Sequence, residues 1–226
     1  MTKQEQATIE GVEPADKESA HMIARISAIA VKMVYPFMAQ NDIRYYLNAV
    51  NVRPLDDGSV MVVATDGHRY VVVRDPNGMA ERELIVSVSK DALKHAGNSK
   101  HTLDVMSNGS AMISGQFAEQ LFVQPGNSLL EASYPRIERV ASTLGYKEGI
   151  SGAVNPRYLA DALTIGKNFG GTIRFFSRDG DSPLTFLLGG IGELECFGGI
   201  MKIRESFENL PSWFPAATEA TSLDEV

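Results

Sequence analysis

Asp66 and His68 stand two residues apart in the run Thr65-Asp66-Gly67-His68-Arg69. A carboxylate beside an imidazole is a side-chain pair suited to general acid–base chemistry. Such a pair needs a nucleophile or a polar substrate pocket within hydrogen-bond reach. No Gly-x-Ser-x-Gly string stands nearby, and Cys196, the single cysteine, has no local partner motif. Asp-Gly is also a favoured turn dipeptide, because glycine accepts positive φ and the aspartate side chain bonds the backbone that follows it. With Val60 to Thr65 before it and Tyr70 to Arg74 after it, the run reads as a tight turn between two hydrophobic strands. A binding scaffold without catalytic residues follows from that reading, and a hydrolase using Asp66 and His68 is the distant alternative. His21, His68, His95 and His101 show no metal-ligand spacing. Phe169-Gly170-Gly171-Thr172 lacks the Gly-Lys-Ser/Thr ending of a phosphate loop. Neither a metal nor a cofactor is expected.

The chain that must position this turn has 226 residues, 44% of them hydrophobic and 22% charged, which suits one large domain or two smaller ones with a substantial core. One cysteine excludes an intramolecular disulfide and a cysteine-rich metal site, and fits a reducing compartment. No apolar run approaches the ~20 residues that span a bilayer, and the polar, Glu-rich stretch Met1 to Ser19 has no apolar signal region. A cytoplasmic protein with no membrane contact is the expectation. The formal net charge of -7 opposes nucleic-acid binding for the molecule as a whole, yet binding depends on where the basic groups lie. Arg25, Lys32, Lys90, Lys94, His95, Lys100, Arg157 and Lys167 fall in or beside helix candidates, whereas much of the acidic charge lies in the two ends and the turns. One basic helical face would suit sequence-independent contact with phosphates; ordinary solvated helix faces are the alternative.

Three helix candidates are each followed by short β-rich runs. His21 to Val34 carries Ile23, Ile26, Ile29, Ala30 and Met33 at helical spacing, with Ser19 as N-cap and Pro36 as a stop. Strands are expected at Arg44 to Val52, which would set Tyr45 and Tyr46 on opposite faces, and then at Val60 to Thr65 and Tyr70 to Arg74. A second unit has a strand at Leu84 to Val88, a helix capped by Ser89, and strands near Leu103 to Met106, Ala111 to Ser114 and Ala118 to Val123, with Asn108-Gly109 as a hairpin turn. A third has a strand at Gly152 to Val154, Asn155 as N-cap, Pro156 at the first helical position and a helix to about Ile165. Its strands are expected at Thr172 to Ser177, Leu184 to Leu188, Leu194 to Phe197 and Gly199 to Ile203. The pattern is three copies of a β-α-β-β-β unit, the first lacking or hiding its leading strand.

The segments Phe37 to Asn48 and Val63 to Arg69 resemble the middle domain of the bacterial sliding clamp, the DNA polymerase III beta subunit family, and Tyr134-Pro135-Arg136-Ile137-Glu138-Arg139-Val140 resembles the linker leaving that domain. The third unit resembles the second half of the family's last domain through Asn155 to Leu163, Ser182-Pro183-Leu184 and Ile200 to Arg204, with Lys202 where the family usually has proline. The resemblance implies an α+β DNA clamp, or processivity, fold: repeated β-α-β-β-β units with helices on one face of antiparallel sheets. It divides the chain into a disordered leader (1–18), a clamp domain (19–140), a half clamp domain (141–205) and a tail (206–226). The family's first domain and the first half of its last domain have no counterpart.

The implied function is a clamp-like replication protein that binds short linear motifs of polymerases or repair proteins and serves as a processivity factor on double-stranded DNA; closing a ring would take a homo-oligomer. The alternative is a non-ring adaptor or decoy that competes for clamp partners without encircling DNA. Carried over by the resemblance, the peptide pocket comprises Leu47, Thr65, Gly67, His68, Arg69, Tyr70, Pro135, Arg139, Val140, Ile200, Met201, Ile203 and Arg204. The DNA-facing set is Arg25, Lys32, Lys90, Lys94, Lys100, Arg157 and Lys167. In the tail, Leu210, Trp213 and Phe214 have two expected placements: in a docking pocket, their own or a neighbour's, or packed on the last unit.

Overall fold

A computed structural model describes residues 20–97, 100–124, 127–141, 147–150, 152–178 and 180–204. The expected leader and tail lie outside the described residues.

His21 to Val34 is not one helix. Met22–Ser27 forms a strand, β1, and only Ala28–Val34 is helical, α1. A bulge between Met22 and Ala24 brings the adjacent Ile23 and Ala24 both into the core, with Ile26 next. Strand alternation is thereby broken, and the apolar spacing imitates a helix. β1 is the hidden leading strand of the first unit.

Arg44 to Val52 is also divided. Tyr45–Asn48 forms a 3-10 turn, so Tyr45 and Tyr46 do not alternate across a strand. The Asp42 N–H donates to Asn48 Oδ1 at 3.0 Å and Asn48 Nδ2 donates to the Asp42 carbonyl at 2.8 Å. These local side-chain bonds outcompete a strand ladder. The strand starts at Val50 (β2, Val50–Pro54) and continues through β3 (Val60–Thr65) and β4 (Arg69–Asp75).

In the second unit β5 (Met79–Ala80) and β6 (Leu84–Val86) precede α2 (Lys90–His95), whose Ala92 N–H donates to Ser89 Oγ at 3.1 Å as the cap requires. β7 (Thr102–Met106), β8 (Ala111–Ser114) and β9 (Gln120–Gln124) follow. Further on come β10 (Lys147–Glu148), β11 (Ala153–Val154) and α3 (Pro156–Phe169). Asn155 caps α3 by accepting from the Arg157 N–H at 3.0 Å, and Gly170, at φ 76°, ends it beyond the expected Ile165. β12 (Thr172–Ser177), β13 (Leu184–Gly189), β14 (Glu195–Ile200) and β15 (Lys202–Ile203) complete the described chain.

β5-β1-β7-β8-β9 form one sheet, β10-β12-β13-β14-β4-β3-β2-β6 a second, and β11-β15 a ribbon. The decisive contact is the antiparallel pairing of β14 with β4, in register from Glu195 with Arg74 to Ile200 with Arg69. It makes the third unit a continuation of the first unit's sheet. Val62, Val71, Val73, Phe186, Cys196 and Ile200 point from this sheet to the helices, in the same core as Val31 of α1 and Ile165 of α3. Burial pushes the Cys196 thiol up to about 12, so it behaves as a small apolar core residue. Val63, Tyr70 and Val72 point the other way, into a second cluster with Leu47, Tyr134 and Ile137. Apolar contacts on both faces account for the unbroken Val71-Val72-Val73 run.

Candidate binding groove

The Asp66 carboxylate builds a turn. Its Oδ1 accepts the backbone N–H groups of His68 at 2.9 Å and Arg69 at 3.0 Å, and its Oδ2 accepts Arg69 Nε at 3.0 Å. Gly67 takes φ 91°, and Thr65 Oγ1 accepts the Gly67 N–H at 3.0 Å. His68 is exposed, and its ring stacks on Tyr158 of α3 at 6.3 Å. Arg69 reaches to the helix side: it donates to Asp161 of α3 and, at 2.8 Å, to the Pro36 carbonyl, with Phe37 and Tyr158 rings 4.9 and 4.5 Å from its guanidinium carbon.

The expected pocket residues are divided between places. The Met201 N–H donates to the His68 carbonyl at 2.8 Å, so the turn and the last strand do meet. Leu47, Thr65, Tyr70 and Ile200 are buried, Ile200 on the helix face and the other three away from it or at its edge. Met201 is half-buried; Ile203 is exposed, and exposed Arg204 donates to Asp181 at 2.9 Å. Gly67, Pro135, Arg139 and Val140 are exposed, the last two in the short 3-10 turn Ile137–Arg139 and its cap. Pro135 offers its carbonyl to Arg53 at 3.1 Å.

A cavity of about 510 Å³ opens beside them, on the sheet face turned away from the helices. Strand register explains its floor. Val63, Val72, Phe197 and Leu187 are successive cross-strand neighbours on β3, β4, β14 and β13, and Arg174 of β12 ends the row. The next row runs Thr65, Tyr70, Gly199, Thr185, Phe176. Gly199 is required there: a Cβ would lie 2.5 Å from the Tyr70 ring, which rests over it and meets Phe197 edge-on. Met61 extends the floor, and the linker residues Ile137, Glu138 and Ala141 form a wall. Glu138 is held by Arg53, whose Nη1 donates to it at 2.8 Å.

Of the pocket residues expected from the resemblance, Tyr70 alone lines this groove. Sequence reading missed Met61, Val63, Val72, Ile137, Glu138, Ala141, Phe176, Thr185, Leu187 and Phe197. A signal was present: Phe175-Phe176, Leu187-Leu188 and Cys196-Phe197 each put apolar groups on both faces of a strand. Groups such as these bind by apolar burial, with a few polar groups setting orientation.

The expected DNA-facing cations sit on or beside β1, α1, α2 and α3. Arg25 lies on β1 and donates from Nε to Asp104 at 2.8 Å; Lys32 donates to the Ala96 carbonyl at 3.2 Å; Lys94 donates to Asp91 at 2.6 Å. Lys90, Lys100, Arg157 and Lys167 are exposed. No group of three metal-binding side chains occurs among the described residues, and no helix is long and apolar enough to cross a membrane.

Helices on one face of antiparallel sheets built from β-α-β-β-β units define the α+β sliding-clamp fold. The chain is similar to the DNA polymerase sliding clamp of Pseudomonas aeruginosa, with a TM-score of 0.60 and 16% identity over 87% of this chain and 69% of that one. It is likewise similar to the Bacillus subtilis DNA polymerase sliding clamp (TM-score 0.59, 13% identity, 86% and 67% covered). For the DNA polymerase III beta subunit of Thermotoga maritima the values are 0.55, 15%, 88% and 69%. No protein-family model matches the chain, and no curated protein sequence does. At these identities the likeness is one of fold.

Proposed function

We propose that this protein is a non-catalytic, cytoplasmic, clamp-like scaffold that captures short apolar linear motifs of polymerases or repair proteins. The observation carrying this reading is the groove across the β4–β14 junction, with an apolar floor from two units and a wall from the linker between them. An extended segment with two neighbouring large apolar side chains suits such a floor. The test is fluorescence anisotropy of a labelled peptide carrying adjacent leucine and phenylalanine residues. Leu187→Asp is expected to weaken binding at least tenfold, because it sets a charge on the floor; unchanged binding rejects the groove as the site.

Two settings for this capture remain, a processivity factor on double-stranded DNA and an adaptor or decoy that competes for clamp partners. The pairing of Arg25 and Lys94 with carboxylates and of Lys32 with a backbone carbonyl, together with the net charge of -7, favours the adaptor. Retention on nicked circular DNA but not on linear DNA would support the encircling role; equal release from both, with peptide binding intact, would support the adaptor. The domain division at about residue 140 belongs to the same proposal, the linker serving both units as a shared wall.

A further inference from the structure

The groove floor is open at its far end. Leu187 is 46% exposed, and Phe176 and Phe197 are half-buried. The row they belong to ends at Arg174, which is exposed and has no carboxylate partner among the described residues. The same chain carries, after Arg204, a stretch of matching chemistry. Residues 205–226 contain five carboxylates, Glu205, Glu208, Glu219, Asp224 and Glu225, and no lysine or arginine. Within them, Trp213 and Phe214 lie between Pro211 and Pro215. Proline fixes φ and pushes the preceding residue toward extended backbone, a conformation that presents adjacent side chains for docking at little entropic cost.

Reach permits the return. From Phe197 in the floor to Arg204 the chain advances seven residues, at most ~25 Å, and the nine residues from Arg204 to Trp213 span up to ~30 Å when extended. We propose that the segment 205–226 of this chain occupies the groove, with Trp213 and Phe214 against Leu187, Phe197 and Phe176 and an acidic residue facing Arg174, so that an external peptide must displace it. This self-occupancy rests on the peptide-binding reading above and adds its regulation: a partner binds in proportion to the time the tail is away.

Trp213 is the chain's single tryptophan, so its emission reports the tail directly in the full-length protein. Self-occupancy predicts blue-shifted emission protected from iodide, relative to a synthetic peptide of residues 205–226. Leu187→Asp is expected to shift the emission to that of the free peptide while the circular-dichroism melt is retained. Wild-type emission equal to the free peptide's overturns the proposal. So does blue-shifted emission that Leu187→Asp leaves unmoved, because Trp213 then packs elsewhere. A second arm compares the wild type with a Trp213→Ala, Phe214→Ala double variant, using the labelled leucine-phenylalanine peptide. A tail bound about 90% of the time predicts about tenfold tighter binding by the double variant. Equal, measurable binding by both overturns self-occupancy and leaves peptide capture standing. Absence of binding to the double variant overturns peptide capture itself, while the Trp213 emission still decides where the tail lies.

Discussion

Two halves of one sheet face are treated differently by the same chain. Over β2 and β3 the face away from the helices is roofed by the linker, where Tyr134 and Ile137 close on Val63 and Leu47. Over β13 and β14 the face is left open, and Leu187 and Phe197 form a floor without a roof among the described residues. Row by row the two halves carry the same kind of side chain, so composition does not separate them. Position relative to the linker does: what is core under Ile137 is an open apolar surface one strand further on.

The sharpest way to break this comparison is to place one charge on each half of a single row. Val72 is 3% exposed and Leu187 is 46% exposed. Val72→Asp buries an unpaired carboxylate and is expected to cost ~4 kcal/mol or more. Leu187→Asp is expected to change stability by less than ~1 kcal/mol while removing peptide binding. Urea titrations followed by circular dichroism check both, and equal costs would mean the two halves are equally covered.

A smaller contrast comes from two arginines on the row that runs through Met61. Under the linker, Arg53 binds Asn51, Glu138 and the Pro135 carbonyl, and its side chain is 7% exposed. On the open side Arg74 reaches Asp57 and Glu195. Arg53→Ala strands polar partners beneath the linker and should cost ~3 kcal/mol. Arg74→Ala removes surface pairs and should cost under ~1 kcal/mol. Thermal melts of the two variants test the difference.

Thr185 offers a change of opposite sign. Its Oγ1 is buried with no hydrogen-bond partner among the described residues. Thr185→Val keeps the shape and removes the unpaired group, so a gain of up to ~1 kcal/mol is expected; a loss would show that the hydroxyl has a partner.

The smallest effect is a pH dependence. Hydrogen bonds from Ser59 and then from Arg74 hold the Asp57 carboxyl down at about 2. A depressed folded-state value contributes stability above the unfolded carboxyl value of about 4, and that contribution disappears as pH falls toward about 2. Asp57→Asn should flatten denaturation midpoints over that interval and leave them parallel to wild type at neutral pH.

Where the sequence was legible, the cause was local. The Asp66-Gly67 turn and the Ser89 and Asn155 caps act within a few residues, and the Asp66, Ser89 and Asn155 side chains specify the backbone directly. It was misread where a local pattern had two meanings. The β1 bulge turned strand alternation into helical spacing, and Asp42 with Asn48 converted an apparent strand into a 3-10 turn. The groove was not legible because register makes it: Phe197 meets Val72 only when β14 pairs with β4, and neither residue differs from an ordinary strand hydrophobe. The resemblance named the turn at Thr65 to Tyr70 and residues beside the 3-10 turn at Ile137, yet of the residues it named only Tyr70 lines the open volume.

Arg69 has a consequence for how this chain can be divided. Its side chain is 10% exposed, with the guanidinium against the Phe37 and Tyr158 rings, and it binds Asp66, Asp161 and the Pro36 carbonyl. Cutting the chain after the linker would remove Asp161, Tyr158 and the whole of β14 together. The remainder would keep a cation facing an apolar wall and a strand with one ladder edge bare, a combination that invites aggregation. The span from Met22 to Arg204 is thus expected to unfold in a single transition, which differential scanning calorimetry would read as one peak.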